Sequence, residues 1–287
     1  MSASLGSIIT AIVTPFDAAG KVDEEGFVEL LDHLAANGSD GFVVCGTTGE
    51  AATLSVDEHL GLIELAVANR PAGASIIAGA GSNDTRHAVE MTERSTELGA
   101  DAILSVTPYY NRPNRRGIVA HYNEVVKATD RPIILYNIPS RTGTNLPNEF
   151  LAELAQLEQI EFVKQANPDD VAQIDGLGLY AGNDDMLAEV LELGGLGGIL
   201  VASHLVGQQM RQMVEDPQRR AEIDASLAEL YAALGVTTNP IPVKAALSLL
   251  GLPSGSLRLP LVEASTEERA VVEAALNKLG LIEGAGR

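Results

Sequence analysis

The sequence predicts an α/β fold, a (β/α)8 barrel (TIM barrel) carrying a C-terminal helical extension. Three observations support this. Short runs rich in Ile, Val and Ala recur through the first two hundred residues. Longer stretches with apolar residues at helical spacing separate them. After the eighth run, about eighty residues follow with no further strand signal.

The short runs are Ile8–Val13, Gly41–Cys45, Ser75–Ala80, Ala102–Val106, Pro132–Tyr136, Glu161–Val163, Gly178–Ala181 and Gly198–Ala202. Each is too short for a buried helix, and most are apolar on both faces, which suits parallel strands covered on both sides. Between them, Phe27, Leu30, Leu31 and Leu34, and again Leu60, Ile63, Leu65 and Val67, repeat at helical spacing. Eight strands alternating with eight helices close into a barrel. An open doubly wound sheet is the alternative, but no G-x-G-x-x-G follows the first strand. Helices are expected at Val206–Val214, Arg219–Leu234, Ile241–Leu250 and Thr266–Leu279, punctuated by Pro217, Pro240, Pro242, Pro253 and Pro260. The expected division is a barrel over 1–215 and an extension over 216–287.

The chain has 287 residues, 46% of them hydrophobic and 20% charged, enough to build a large core. Nineteen Lys and Arg against 39 Asp and Glu give a formal charge of −20, which repels nucleic-acid phosphates and anionic lipid. The single Cys45 allows no intrachain disulfide and fits a reducing compartment. The first residues lack a basic signal-like region, and no stretch has the roughly 18 uninterrupted apolar residues that a membrane span needs. The expectation is a soluble, cytoplasmic protein without nucleic-acid or membrane partners.

Barrel active sites lie at the carboxyl ends of the strands, so reactive residues should stand just after each apolar run. That rule selects Gly46-Thr47-Thr48-Gly49-Glu50, Thr107-Pro108-Tyr109-Tyr110-Asn111, the stretch from Tyr136 through Arg141 to Gly143, and Lys164. Lysines are few. Lys21 lies in a turn, and Lys127 and Lys278 sit near helix carboxyl ends, where a cation offsets the dipole. Lys244, in the first turn of an extension helix, reads as an ordinary solvated lysine. Lys164 would project into a partly desolvated barrel mouth, where burial favours the neutral, nucleophilic amine. The competing reading pairs it with Asp169 or Asp170. A Schiff base needs hydroxyls to shuttle protons, and Tyr136, Thr47 and Tyr110 end three other strands. The glycine-flanked turn at Thr47 and Thr48 can offer backbone N–H groups to a carboxylate, and Arg141 can hold a second one, or pair with a surface Glu. Together these imply small keto acids as substrates.

Metal chemistry finds no support in the spacing of His33, His59, His87, His121 and His204. There is no G-x-S-x-G elbow for a serine hydrolase either. The glycines from Gly194 to Gly198 read as a tight helix-to-strand turn rather than a phosphate cradle.

At these residues the sequence resembles the 4-hydroxy-tetrahydrodipicolinate synthase (dihydrodipicolinate synthase) family of pyruvate-dependent class I aldolases, a superfamily that includes N-acetylneuraminate lyase. The resemblance runs nearly end to end, through T-A-I-V-T-P-F at Thr10–Phe16, G-T-T-G-E at Gly46–Glu50, T-P-Y-Y-N-R-P at Thr107–Pro113, Y-N-I-P-S-R-T-G at Tyr136–Gly143, Lys164, and N-P-I-P-V-K at Asn239–Lys244. It implies that Lys164 is the Schiff-base lysine and that Tyr136, Thr47 and Tyr110 form a proton relay, Tyr110 reaching a neighbouring subunit. It further implies that Thr48 binds the pyruvate carboxylate, that Arg141 holds the carboxylate of aspartate semialdehyde, and that Gly182 and Ile199 line the pyruvate pocket. The implied reaction condenses pyruvate with L-aspartate 4-semialdehyde in lysine and diaminopimelate biosynthesis. No metal or organic cofactor is implied, and the implied assembly is a homotetramer built as a dimer of dimers. Lyases or aldolases for sialic acid or a deoxy-keto sugar acid share the chemistry but typically lack the arginine of Ser140-Arg141-Thr142. A silent keto-acid-binding paralogue would need no proton relay. Gln165-Ala166-Asn167-Pro168 and Ala181-Gly182-Asn183-Asp184 depart from the usual family pattern. In the pocket where lysine-sensitive members bind lysine, Asn83, Tyr109 and His59 match, whereas Ala51, Val56 and His87 replace Ser, His and an acidic residue. Feedback inhibition is therefore expected to be weak or absent.

Overall fold

The computed structural model describes residues 5–282, so residues 1–4 and 283–287 of the two expected units lie outside the described residues. Eight parallel strands close in sequence order into a barrel: β1 (Ile8–Ala11), β2 (Gly41–Val44), β3 (Ser75–Gly79), β4 (Ala102–Val106), β5 (Ile133–Asn137), β6 (Ile160–Gln165), β7 (Gly178–Ala181) and β8 (Gly197–Leu200). All eight coincide with expected runs to within a few residues. β8 returns to β1 with Ile199 opposite Ile9, which leaves no free sheet edge among the described strands.

The helices on the outside are α1 (Glu24–Ala36), α2 (Val56–Ala68), α3 (Thr85–Glu97), α4 (Arg115–Val125), α5 (Pro139–Thr142), α6 (Asn148–Leu154), α7 (Leu187–Glu192) and α8 (Ser203–Glu215). In α1, Phe27, Leu30, Leu31 and Leu34 are all buried against the sheet, as their spacing demands. Each such side chain contributes roughly 1.5–3 kcal/mol by leaving water. Short polar side chains cap the starts of α1 to α4. The Asp23 carboxylate accepts the Gly26 N–H in α1, and Ser55 with Glu58 forms a reciprocal capping box in α2.

One expectation fails. Strand and helix do not alternate eight times, because the described residues hold no α-helix between β6 and β7. The connection contains only a 3₁₀ turn, Pro168–Asp170. Pro168 stands at its start and Gly176 takes a left-handed φ of 82°, so the chain turns near both ends of the connection. The crossover between β5 and β6 carries two short helices instead of one.

Two apolar clusters hold the fold. The larger lies between strands and helices; the smaller fills the barrel with Ile9, Val43, Ile77, Leu104, Ile134, Phe162, Tyr180 and Ile199 among others. Beyond α8 come α9 (Arg220–Leu234), α10 (Ile241–Leu249) and α11 (Thr266–Lys278), whose buried faces join the larger cluster. α9 packs on α8 and α7, so the extension lies directly on the barrel.

The run from Gly194 to Gly198 is the tight turn that leads α7 into β8. Gly194 has φ 81° and Gly197 φ 147°, and a Cβ on Gly197 would fall 1.9 Å from the Ser7 carbonyl oxygen. That carbonyl accepts the Gly198 N–H at 2.9 Å where β8 meets the chain entering β1. Gly197→Ala is expected to lose about 3 kcal/mol or more of stability in urea denaturation, and a wild-type midpoint would contradict the packing described.

Candidate active site

The barrel's carboxyl end opens into a cavity of about 490 Å³. Parallel pairing sets its floor. Tyr136, Lys164 and Tyr180 lie side by side across β5, β6 and β7, so all three point to the same face of the sheet, the inside. Tyr180 is covered, its hydroxyl donating to the Gly6 carbonyl at 3.0 Å, while Tyr136 and Lys164 face the cavity.

Lys164 is 5% exposed and its Nζ stands 4.3 Å from the centre of the Tyr136 ring. Burial pushes its amine down to about 7; the Asp184 carboxylate opposes this and the Arg141 guanidinium adds to it. A lysine near 7 is substantially neutral at physiological pH, the form that attacks a carbonyl. Burial pushes the Tyr136 phenol up to about 12, against the Arg141 charge and a hydrogen bond with Thr47. The phenol therefore keeps its proton and can lend it. Asp169 and Asp170 do not pair with Lys164: the Asp170 carboxylate accepts from Asn145 and Asn167.

The turn after β2 supplies the next wall. Thr48 is buried with its hydroxyl held by Asn239 Nδ2 at 3.0 Å, whereas Thr47 is exposed in the cavity. Cys45 and Glu50, on either side of the turn, have φ of 56° and 54° without being glycine, a conformation that costs each roughly 1–2 kcal/mol. Opposite stands Arg141, exposed in α5, with Nη2 donating to the Asn239 carbonyl at 3.4 Å and no paired Glu among the described residues. Its charge remains available to an anion.

Gly182 lines the cavity, and a Cβ there would meet the Ala166 Cβ and the Gln165 carbonyl oxygen, each at 2.7 Å, so only glycine lets the segment after β7 pack this closely on the end of β6. Ile199 is fully buried in the cluster inside the barrel and not at the cavity surface. Tyr110 lies outside the cavity altogether, 90% exposed with φ 68°. The structure thus brings Lys164, Tyr136, Thr47, Thr48, Arg141 and Gly182 together and leaves Tyr110 and Ile199 apart.

Sequence reasoning missed four participants. Asp184 follows β7 at the rim, and the Val201 and Ala202 N–H groups both donate to its Oδ1 at 2.9 Å. Desolvation pushes its carboxyl up to about 6 despite those bonds. The rule that found Lys164 would have found it: Lys164 stands at the carboxyl end of β6, and Asp184 just past β7. Asn239 joins Thr48 to Arg141 from the extension, which no local pattern reveals. Gln165, fully buried, accepts the Asn137 amide at 3.0 Å and the Asn167 N–H at 3.0 Å, bracing the strand ends beside Lys164.

The fourth is a correction. Lys244 is not solvated: it is 3% exposed, and its Nζ lies 2.6 Å from Glu50 Oε1. The neighbours Ile241, Val243, Ala245, Ala246 and Leu247 are all buried as well, and a helix apolar on every side is a buried helix. That pattern was legible.

The chain is 42% identical over 286 residues to 4-hydroxy-tetrahydrodipicolinate synthase 1 of Halalkalibacterium halodurans, covering 96% of this chain and 97% of the relative. It is 44% identical over 293 residues to the 4-hydroxy-tetrahydrodipicolinate synthase of Thermosynechococcus vestitus, covering 96% and 98%. Among solved structures, that of the lysine-bound enzyme from Cyanidioschyzon merolae superposes with a TM-score of 0.93 at 40% identity, over 97% of this chain and 99% of the other. Residues 4–279 match the model of the dihydrodipicolinate synthetase family. The chain belongs to that family.

Proposed function

We propose that this protein condenses pyruvate with L-aspartate 4-semialdehyde to give 4-hydroxy-tetrahydrodipicolinate, through an imine on Lys164. The observation that carries the reading is the buried Lys164 amine, held near neutrality beside the Tyr136 ring at the floor of a cavity. The Lys164 amine attacks the ketone carbon of pyruvate, and loss of water from the carbinolamine leaves an iminium. Tyr136, still protonated and linked to Thr47, passes the proton that water departure requires. The iminium draws electrons from the methyl group, whose proton passes to the Tyr136–Thr47 pair; the enamine carbon then bonds to the aldehyde carbon, which restores the iminium, and the aldehyde oxygen takes up that proton to become a hydroxyl. The acceptor's own amine then adds to the imine carbon and expels Lys164. Every step is served by side-chain acid–base chemistry, with no organic cofactor.

Thr48 and the backbone of its turn suit the pyruvate carboxylate, with Gly182 lining the same cavity. Arg141, without an acidic partner among the described residues, suits the carboxylate of the acceptor and favours aspartate semialdehyde over a sugar acid. Tyr110, exposed and remote from its own cavity, suits a place at a neighbour's site in a homotetramer. The negative charge, the lone buried Cys45 and the absence of a helix among the described residues long and apolar enough to cross a membrane support cytoplasmic residence.

Borohydride with pyruvate present is expected to fix one pyruvate to Lys164, detected by peptide mass, and Lys164→Ala to lose trapping and at least about a hundredfold in turnover. Because the amine is depressed to about 7, the trapping rate should fall as pH drops through 7 and level off above it. Trapping elsewhere, or a flat profile between pH 5 and 8, would end the proposal.

The region matching the lysine-binding pocket of sensitive relatives holds His59 bonded through Nε2 to the Gly79 carbonyl at 2.8 Å. Burial and then the nearby His87 push His59 down to about 4. With His87 in place of a carboxylate, lysine's ammonium finds no counter-charge there, so a steady-state titration should show little inhibition; near-complete loss of rate at submillimolar lysine would refute this. Sedimentation at assay concentration is expected to show a tetramer, and a fully active monomer would remove the role given to Tyr110.

A further inference from the structure

Glu50 and Lys244, each 3% exposed, meet in the interior with Nζ 2.6 Å from Oε1. They come from distant parts of the chain. Glu50 closes the turn that carries Thr47 and Thr48, and Lys244 stands in α10 of the extension. Lys244 Nζ also donates to the Ser256 carbonyl at 2.7 Å and lies 4.6 Å from the centre of the Phe16 ring. The other carboxylate oxygen of Glu50 accepts the Arg258 N–H at 3.1 Å.

A buried ion pair is seldom more stabilising than an apolar pair of the same shape, so stability alone is a weak account of this one. The backbone offers a better account. Glu50 is a non-glycine residue in left-handed conformation, and such strain persists only where the surroundings over-determine it. Its N–H donates to the Thr47 carbonyl at 3.1 Å, and its carbonyl accepts the Thr53 N–H at 3.0 Å. Movement of Glu50 therefore moves Thr47. One residue before the N-cap Pro240 of α10, Asn239 holds the Thr48 hydroxyl. One end of α10 thus grips the turn at two points.

We propose that the Glu50–Lys244 pair is a positioning device for the Thr47–Thr48 turn, setting the affinity of the cavity for its keto acid as well as the stability of the fold. The inference rests on Lys164 being the imine-forming amine. Two variants test it, read by the pyruvate concentration that half-saturates borohydride trapping at Lys164, at a temperature where circular dichroism shows a native spectrum. Glu50→Asp keeps the charge and shortens the tether. The double variant Glu50→Gln with Lys244→Met removes both charges, so that no unpaired charge is left buried. Half-saturation is expected to rise by about fivefold or more in both, while the thermal midpoint of the double variant exceeds that of Lys244→Met alone. A purely structural pair would lower midpoints and leave half-saturation at its original value. That value in either folded variant overturns the proposal, and if the double variant does not fold, Glu50→Asp decides alone. Failure of the unmodified protein to trap pyruvate at Lys164 would take down the reading of the site and this inference together. Trapping in the unmodified protein with unmoved variants would take down this inference only.

Discussion

Everything at the cavity follows from placing an amine where water cannot surround it. The closed sheet allows this, since a side chain at the inner face of β6 near its carboxyl end has barrel interior beneath it and neighbouring strand ends on either side. Burial removes hydration from the ammonium form and brings Lys164 down to about 7. The same burial drives Asp184 and Tyr136 upward, so all three groups are held away from their charged forms. The folded state bears the cost. An unfolded lysine binds a proton up to its ordinary, higher pKa, so between about 7 and that value the unfolded chain holds more protons and stability rises with pH. At neutral pH the site therefore weakens the fold that contains it, a common relation between reactivity and stability.

The remainder of the cavity depends on helices outside the barrel. α9 forms one wall, and the segment leading into α10 supplies Asn239, which holds Thr48 with its amide and receives Arg141 on its carbonyl. A barrel alone would present Lys164 and Tyr136 with the Thr48 turn and Arg141 untethered. The turn itself is strained at both ends, at Cys45 and Glu50, and a strained turn needs anchors. Thr14 bonding to the Gly49 carbonyl at 2.7 Å, Asn239 on Thr48 and Lys244 on Glu50 are those anchors.

Most of the fold was legible because its signals are local. The apolar run Pro132–Tyr136, which forms β5 with every strand residue buried, and the spacing of Phe27, Leu30, Leu31 and Leu34 follow directly from period and burial. The missing helix after β6 was less legible, since counting to eight encouraged regularity where Pro168 and Gly176 interrupt the chain. Lys244 was misread for a different reason. A lysine near a helix start is usually solvated, and only the apolar residues around it indicated otherwise.

Local chemistry also marked part of the site. Position at or just past a strand's carboxyl end, together with residue type, identified Lys164, Tyr136, Thr47, Thr48 and Arg141, because in a barrel the strand's end is the site's address. Partnership between distant segments could not be read this way. That Glu50 meets Lys244, that Asn239 spans from Thr48 to Arg141, and that Tyr110 leaves its own cavity all depend on how segments up to nearly two hundred residues apart pack. Periodicity and propensity report one segment at a time. Burial, and the pKa shifts that burial produces, belong to the assembled neighbourhood.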